Sequence, residues 1–309
     1  MNSILAALEK KYFLIKMYQR KNILLFIAVF VVFLYYESHS QCNCLGSGLG
    51  GGLNQPAGTT SRGILPQSNF RLQALYKHRS GDEFFSKDIN QGKGFINNFQ
   101  SDYLGILLGY GFSHKLTVEA EFAFFPNHKV DYYYKSVNEF GSPSFYLSGK
   151  YNVYSSYFKK FEFTAGAGLK TAFQPFNYGL LLHSFLHKGF GENALDFYMI
   201  SRAELNAKNH NDFQQGHNLS NSFFLTKNVF EDLLAIAELR ADFAVKDYQG
   251  KRSLDSTGFF VLTIAPQIVY SFSDFYVSAL FDLPVYRYFN GSQIATRNPF
   301  AISLGWQFD

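Results

Sequence analysis

The chain has 309 residues, 47% of them hydrophobic and 19% aromatic, and a formal net charge of +4. Residues 1–40 hold five of the 28 Lys and Arg and two of the 24 Asp and Glu, leaving 23 cations against 22 anions, a balance that does not imply a nucleic-acid partner. With 36 Phe and 21 Tyr against one Trp, the chain carries far more aromatic surface than a soluble core needs.

At the N-terminus, MYQRKNILLFIAVFVVFLYYESHSQ (17–41) sets Arg20 and Lys21 before an uncharged apolar run, Ile23 to Tyr36, and then Ser38-His39-Ser40. This is the three-part pattern of a secretory signal peptide cut after Ser40. The run falls short of the roughly 18–20 residues that a spanning helix needs. Residues 1–40 are therefore expected to be removed, with Met17 a candidate start. A retained anchor is the alternative.

Next comes CNCLGSGLGGGLNQP, holding Cys42 and Cys44. A lipid anchor needs a small residue before the cysteine and an aliphatic one three before it, where this chain has Gln41 and His39. Two thiolates with no third ligand nearby leave a metal incompletely coordinated, so a local disulfide, or a pair without a role, fits an exported chain better. The glycines read as slack in a tether. Residues 41–66 are thus expected to form a flexible segment, free or folded into a barrel mouth as a plug, and residues 67–309 the folded domain.

From residue 69 onward the period is two. In LTVEAEFAF, Leu116, Val118, Ala120, Phe122 and Phe124 share one face and Glu119 and Glu121 the other. LLAIAELRADFAV, FYVSALFDL and FAISLGWQF repeat the pattern. Runs of about ten residues with one apolar and one polar face are the signature of a transmembrane antiparallel β-barrel. Strands are expected near 69–79, 101–112, 115–125, 144–154, 160–171, 195–204, 217–228, 233–246, 257–270, 274–286 and 298–308. Short and long connections should alternate, and residues 172–194 break that alternation unless they hold one more strand. FNYGLLLHSFLH (176–187), with a turn at 188–191, supplies it and makes twelve, with both termini at one end. Pro266 cannot donate to a ladder, so a bulge or local kink is expected there. Glycines 105, 109, 111, 166 and 168 fall on the polar face, where they can let another segment come close. Loops are expected at 80–100, 126–142 and 247–256.

The couplet YLGILLGYGFSHKLTVEAEF and the ending SALFDLPVYRYFNGSQIATRNPFAISLGWQF, with Leu283 to Tyr286, Asn290, Gly291 and Gln293, resemble a bacterial outer-membrane barrel family labelled after the phenol meta-degradation pathway. The likeness spans most of residues 42–308. It implies a transporter in the outer membrane of a Gram-negative bacterium, passing small solutes, hydrophobic compounds among them. Barrels of this kind end on an aromatic residue read by the insertion machinery, whereas here Asp309 follows Phe308.

The polar faces collect Arg71, Gln73, Lys77, Glu119, Glu121, Lys150, Glu162, Lys170, Arg202, Glu204, Glu238, Arg240 and Asp242 as candidate lumen-lining residues. They could line a pore or close it as ion pairs, since twelve strands lie between filled eights and open sixteens. Outer-membrane lipid, the insertion machinery and a small solute are the expected partners. A closed structural or surface-binding barrel is one alternative. A lipid hydrolase is the other, but no Ser on a strand pairs with His114, His128, His210 or His217, and His183 and His187 merely share a strand face. Neither cofactor nor metal is expected, and GSGLGGG lacks the Lys-Ser/Thr of a phosphate cradle.

Overall fold

The computed structural model describes residues 63–94, 96–173, 176–190 and 195–308. The leader, both cysteines and the glycine run lie outside the described residues. In chain order the elements are β1 (Phe70–Lys87), β2 (Ile89–Gly92), β3 (Ile96–Ser113), β4 (Leu116–Tyr132), β5 (Ser136–Ser156), β6 (Phe161–Phe173), β7 (Phe176–Phe190) and β8 (Leu195–Asn206). There follow β9 (Phe213–Gln214), β10 (Asn218–Phe230), β11 (Leu233–Ala244), β12 (Tyr248–Gln249), β13 (Arg252–Ser253), β14 (Phe259–Phe272), β15 (Phe275–Phe281) and β16 (Leu283–Phe308).

Neighbours pair antiparallel from β1 through β3, β4, β5, β6, β7, β8, β10 and β11 to β14. β14 then pairs with β15 and, beyond Asp282, with residues 283–289. The chain turns at Asn290-Gly291, and residues 292–308 run back between β15 and β1, closing the ring. The described residues thus form a closed antiparallel barrel of twelve strands, the fold read from the period of two. The strand that connection parity alone required is β7.

Closure follows from the alternation. Leu108, Leu169, Leu180, Ile268 and Leu304 stand exposed on the outside, while Gln73, Lys170, Glu204, Arg240 and Gln267 on the opposite faces are buried. An apolar exterior around a polar interior suits a wall whose outer solvent is lipid. Among the described residues no helix is long and apolar enough to cross a membrane. Where the termini meet, Phe275 stacks on Trp306 at 5.3 Å, Trp306 lies 4.2 Å from Phe308, and Phe308 stacks on Phe70 at 5.6 Å. That aromatic band belongs at a lipid–water boundary.

Three local expectations are corrected. The strands run past the expected loops: 80–87 belongs to β1, 96–100 to β3, 126–132 to β4 and 136–142 to β5. His128 accordingly stands in a strand. Above the lipid-facing band these extensions keep pairing while losing the apolar face that marks a strand in sequence. Lys188 to Phe190 likewise extend β7 instead of turning. Pro266 pairs in register with Ala237 and makes no bulge. Its missing N–H instead leaves the ladder broken on the other side, at Asp282, whose own N–H donates to the Pro299 carbonyl at 2.7 Å. The bulge lies at Leu262/Thr263.

Gly305 shows how tightly the wall is fitted. The Tyr276 ring of the neighbouring strand lies over it, and a Cβ there would overlap the ring. Gly305→Val is expected to force Tyr276 out of place and cost about 1–3 kcal/mol, checked as a lower urea midpoint for loss of heat-modifiable gel mobility.

Candidate functional site: the lumen and its two mouths

Inward side chains fill the barrel at each level. In the lower part, toward the termini, Tyr198, Phe224, Ile236, Val269 and Tyr276 form one buried apolar cluster. Leu75, Tyr103, Leu107, Tyr146, Leu181 and Leu280 form a second at the waist. Ile96, Phe99, Val130 and Ile294 form a third near the upper end.

Threaded between these clusters are two ion networks. In the first, Arg202 on β8 reaches across the interior to Glu121 on β4, Nη1 to Oε2 at 2.7 Å, and its Nη2 lies 3.3 Å from Glu204 Oε1. Lys170 on β6 donates to Glu204 Oε2 at 2.8 Å, and both Arg202 and Lys170 lie over the Tyr146 ring. Lys150 pairs with Glu119 at 2.6 Å. Three cations meet three carboxylates, which satisfies the charges locally. In the second, Asp282 Oδ2 takes both Lys77 Nζ at 2.6 Å and Arg240 Nη2 at 2.8 Å. Arg240 also contacts Glu238 and Asp242, whose carboxylates accept Ser222 and Ser220 hydroxyls.

Ten of the thirteen candidates, Lys77, Glu119, Glu121, Lys150, Lys170, Arg202, Glu204, Glu238, Arg240 and Asp242, thus enter these ion pairs. Arg71 and Glu162 stand lower and outside both, Arg71 with its Nη2 toward Gln307 Oε1 at 3.5 Å. Asp282, the hub of the second network, was not among the candidates. Its parity with Tyr276 and Ser278 marked it, but the Leu280 between them hid the run.

The lower mouth is occupied by the chain itself. Ile64 and Leu65 are buried, and the Leu65 N–H donates to Thr117 Oγ1 at 2.7 Å. Gly63 abuts Phe185 and Thr164, and side chains at Gly109 and Gly111 would run into Leu65 and the Pro66 carbonyl. The close approach expected at these two wall glycines is therefore made by the end of the tether. His183 and His187 do share the inward face of β7, but His187 stacks on Tyr198 at 4.6 Å and lies 3.3 Å from Asp196. Among the described residues no group of three His, Cys, Asp or Glu could hold a metal.

At the upper mouth the connections 207–217 and 245–258 join as a small three-stranded sheet, β13-β12-β9. Gln215 accepts from Lys170 Nζ at 3.3 Å, tying this cap to the first network. Asn206 Nδ2 donates to the Gly216 carbonyl, and Gly216 N–H to Asp247 Oδ1 at 2.6 Å. Burial pushes the Asp247 carboxyl above its usual range. The NG-x-Q stretch has a clear task here. Gly291 takes a φ of +69° close against the Asp255 carbonyl, and Gln293 Nε2 donates to the carbonyls of Gly258 at 2.8 Å and Asn290 at 2.9 Å. Gln293→Ala would remove both bonds, taking this donor from the Asn290 carbonyl and leaving the Gly258 carbonyl only the Asn290 N–H at 3.1 Å. A loss of about 1–3 kcal/mol is expected, seen as faster protease cleavage within 245–258 while the barrel stays folded.

Fold and lumen together define a transmembrane β-barrel of the outer-membrane type. Among solved structures it is similar to the COG4313 outer membrane channel from Pseudomonas putida F1, at 11% identity and a TM-score of 0.65 over 82% of this chain and all of that one. The KdgM porin (9% identity, TM-score 0.46) and the NanC porin (12%, 0.47) each align with 76% of this chain and with 99% and 98% of their own. No protein-family model and no curated protein sequence matches the chain.

Proposed function

We propose that the chain is an outer-membrane channel of a Gram-negative bacterium, passing small solutes without chemistry, whose resting lumen is closed by its own side chains, tether and cap. The observation that carries this reading is the pair of buried ion networks. Buried ion pairs are weak stabilisers, and apolar residues of similar volume often do as well or better. A barrel whose interior served only as a core gains little from Arg202, Lys170, Arg240 and their carboxylates. A lumen that must sometimes fill with water gains a wettable wall. The charges are balanced and face one another, so the wall suits small polar solutes better than strongly charged ones.

The outward apolar band, the export leader and the C-terminal aromatic run support the outer-membrane location and insertion by the barrel machinery. The resemblance of residues 283–293 to the phenol meta-degradation family supports a transport role and brings hydrophobic compounds in as candidates, although the charged wall favours polar ones. A second reading, a permanently closed structural or surface-binding barrel, is favoured by the apolar waist of Leu75, Leu107, Leu181 and Leu280. Liposome swelling separates the two. A channel admits small sugars and amino acids at rates that fall with solute size, whereas a closed barrel leaves vesicles with folded protein as tight as empty ones.

A further inference from the structure

The end of the barrel that bears the termini is unevenly charged. On one half of its rim, two neighbouring turns and the adjoining end of β7 bring together Lys115, Lys159, Lys160 and Lys188. They are tied by hydrogen bonds to backbone carbonyls. Lys188 Nζ donates to the Lys159 carbonyl at 2.5 Å, Gly189 N–H to the Lys160 carbonyl at 2.9 Å, and Asn152 N–H to the Lys115 carbonyl at 2.8 Å. Among the described residues the nearby carboxylates are Asp196 and Glu162, both beside His187. The turns of the other half carry Glu231, Asp232 and Asp274.

At the tip of the basic half, Tyr157 and Phe158 are 89% and 98% exposed. Their rings touch each other edge-on at 6.1 Å. Directly above, Tyr151, Val153 and Tyr154 continue the exposed outer surface of β5, so the tip is an extension of the lipid-facing wall.

We propose that this half-rim, Tyr157 to Lys160 with Lys115 and Lys188, is a binding patch for anionic phospholipid of the inner leaflet. The proposal rests on the outer-membrane reading, in which short turns and termini face the periplasm. Bare aromatic rings beside several cations call for a partner that is both apolar and anionic. Aromatic side chains settle at headgroup depth, and clustered lysines are drawn to acidic headgroups. A soluble anion would leave the rings unused, and the acidic half-rim repels the same lipid, which fixes where it sits.

The test uses the mature chain, residues 41–309, folded in detergent and offered phosphatidylglycerol and phosphatidylcholine with matched acyl chains, with bound lipid counted by native mass spectrometry. Heat-modifiable gel mobility verifies that each variant is folded. The parent chain is expected to retain phosphatidylglycerol about fivefold or more over phosphatidylcholine. Lys115→Gln, Lys159→Gln, Lys160→Gln and Lys188→Gln combined should abolish that preference, while Glu231→Gln, Asp232→Asn and Asp274→Asn combined should keep it. Phe158→Ala should lower retention of both lipids. An undiminished preference in the lysine variant overturns the patch, as does displacement of the lipid by millimolar inorganic phosphate. A parent chain that is folded yet shows no preference overturns it too, and leaves the barrel and channel readings standing.

Discussion

Arg202→Met is expected to destabilise the folded barrel by about 3–5 kcal/mol, because it leaves Glu121 buried and facing no cation. The guanidinium meets Glu121 at 2.7 Å across the interior and Glu204 at 3.3 Å, and it rests 4.6 Å from the centre of the Tyr146 ring. Glu204 keeps Lys170 after the substitution, so the damage concentrates at Glu121. The measurement is the urea midpoint of the folded species. Glu121→Leu combined with Arg202→Met should recover most of the loss, since replacing both partners by apolar groups is often neutral. This double variant also separates the two readings of the lumen. With a drier wall it should be folded but conduct less than the parent. Unchanged conduction would mean that the network contributes nothing to permeation.

Deleting residues 42–66 is expected to enlarge the conductance. The deletion takes Ile64 and Leu65 out of the lower mouth together with the hydrogen bond to Thr117, and bares the wall at Gly109 and Gly111. The truncated barrel should also be less stable, since burial of each of these two side chains contributes about 1.5–3 kcal/mol. Larger single-channel steps from the truncated chain would establish the tether as a plug. Steps of the same size would show that the segment only lines the mouth.

What could be read in the sequence was what the membrane imposes. A lipid-facing wall needs every second residue apolar, so all twelve strands could be located, and β7 followed from parity although its own pattern is weak. Above the apolar band the outer face meets water and the period fades, which is why 80–87, 126–132 and 136–142 read as loops while their backbones still pair. Pro266 was correctly marked as a defect in the ladder, but its consequence appears one strand away, at Asp282. The lumen charges were legible as a set because parity assigns a face to each. Their partners were not. Arg202 meets Glu121 four strands away and Lys77 meets Asp282 across the closing seam, distances that depend on how the ring closes. The role of Asn290, Gly291 and Gln293 was equally hidden, because what they hold is a connection about 35 residues earlier in the chain.

The most direct test of a closed but openable channel is the single-channel conductance of refolded residues 41–309 in a planar bilayer. The structure predicts small, discrete, reproducible openings from a mostly closed baseline, since the interior is filled at rest and walled with balanced charge. A silent bilayer containing protein of verified folded mobility would contradict the channel and leave a closed barrel whose function lies on its surfaces.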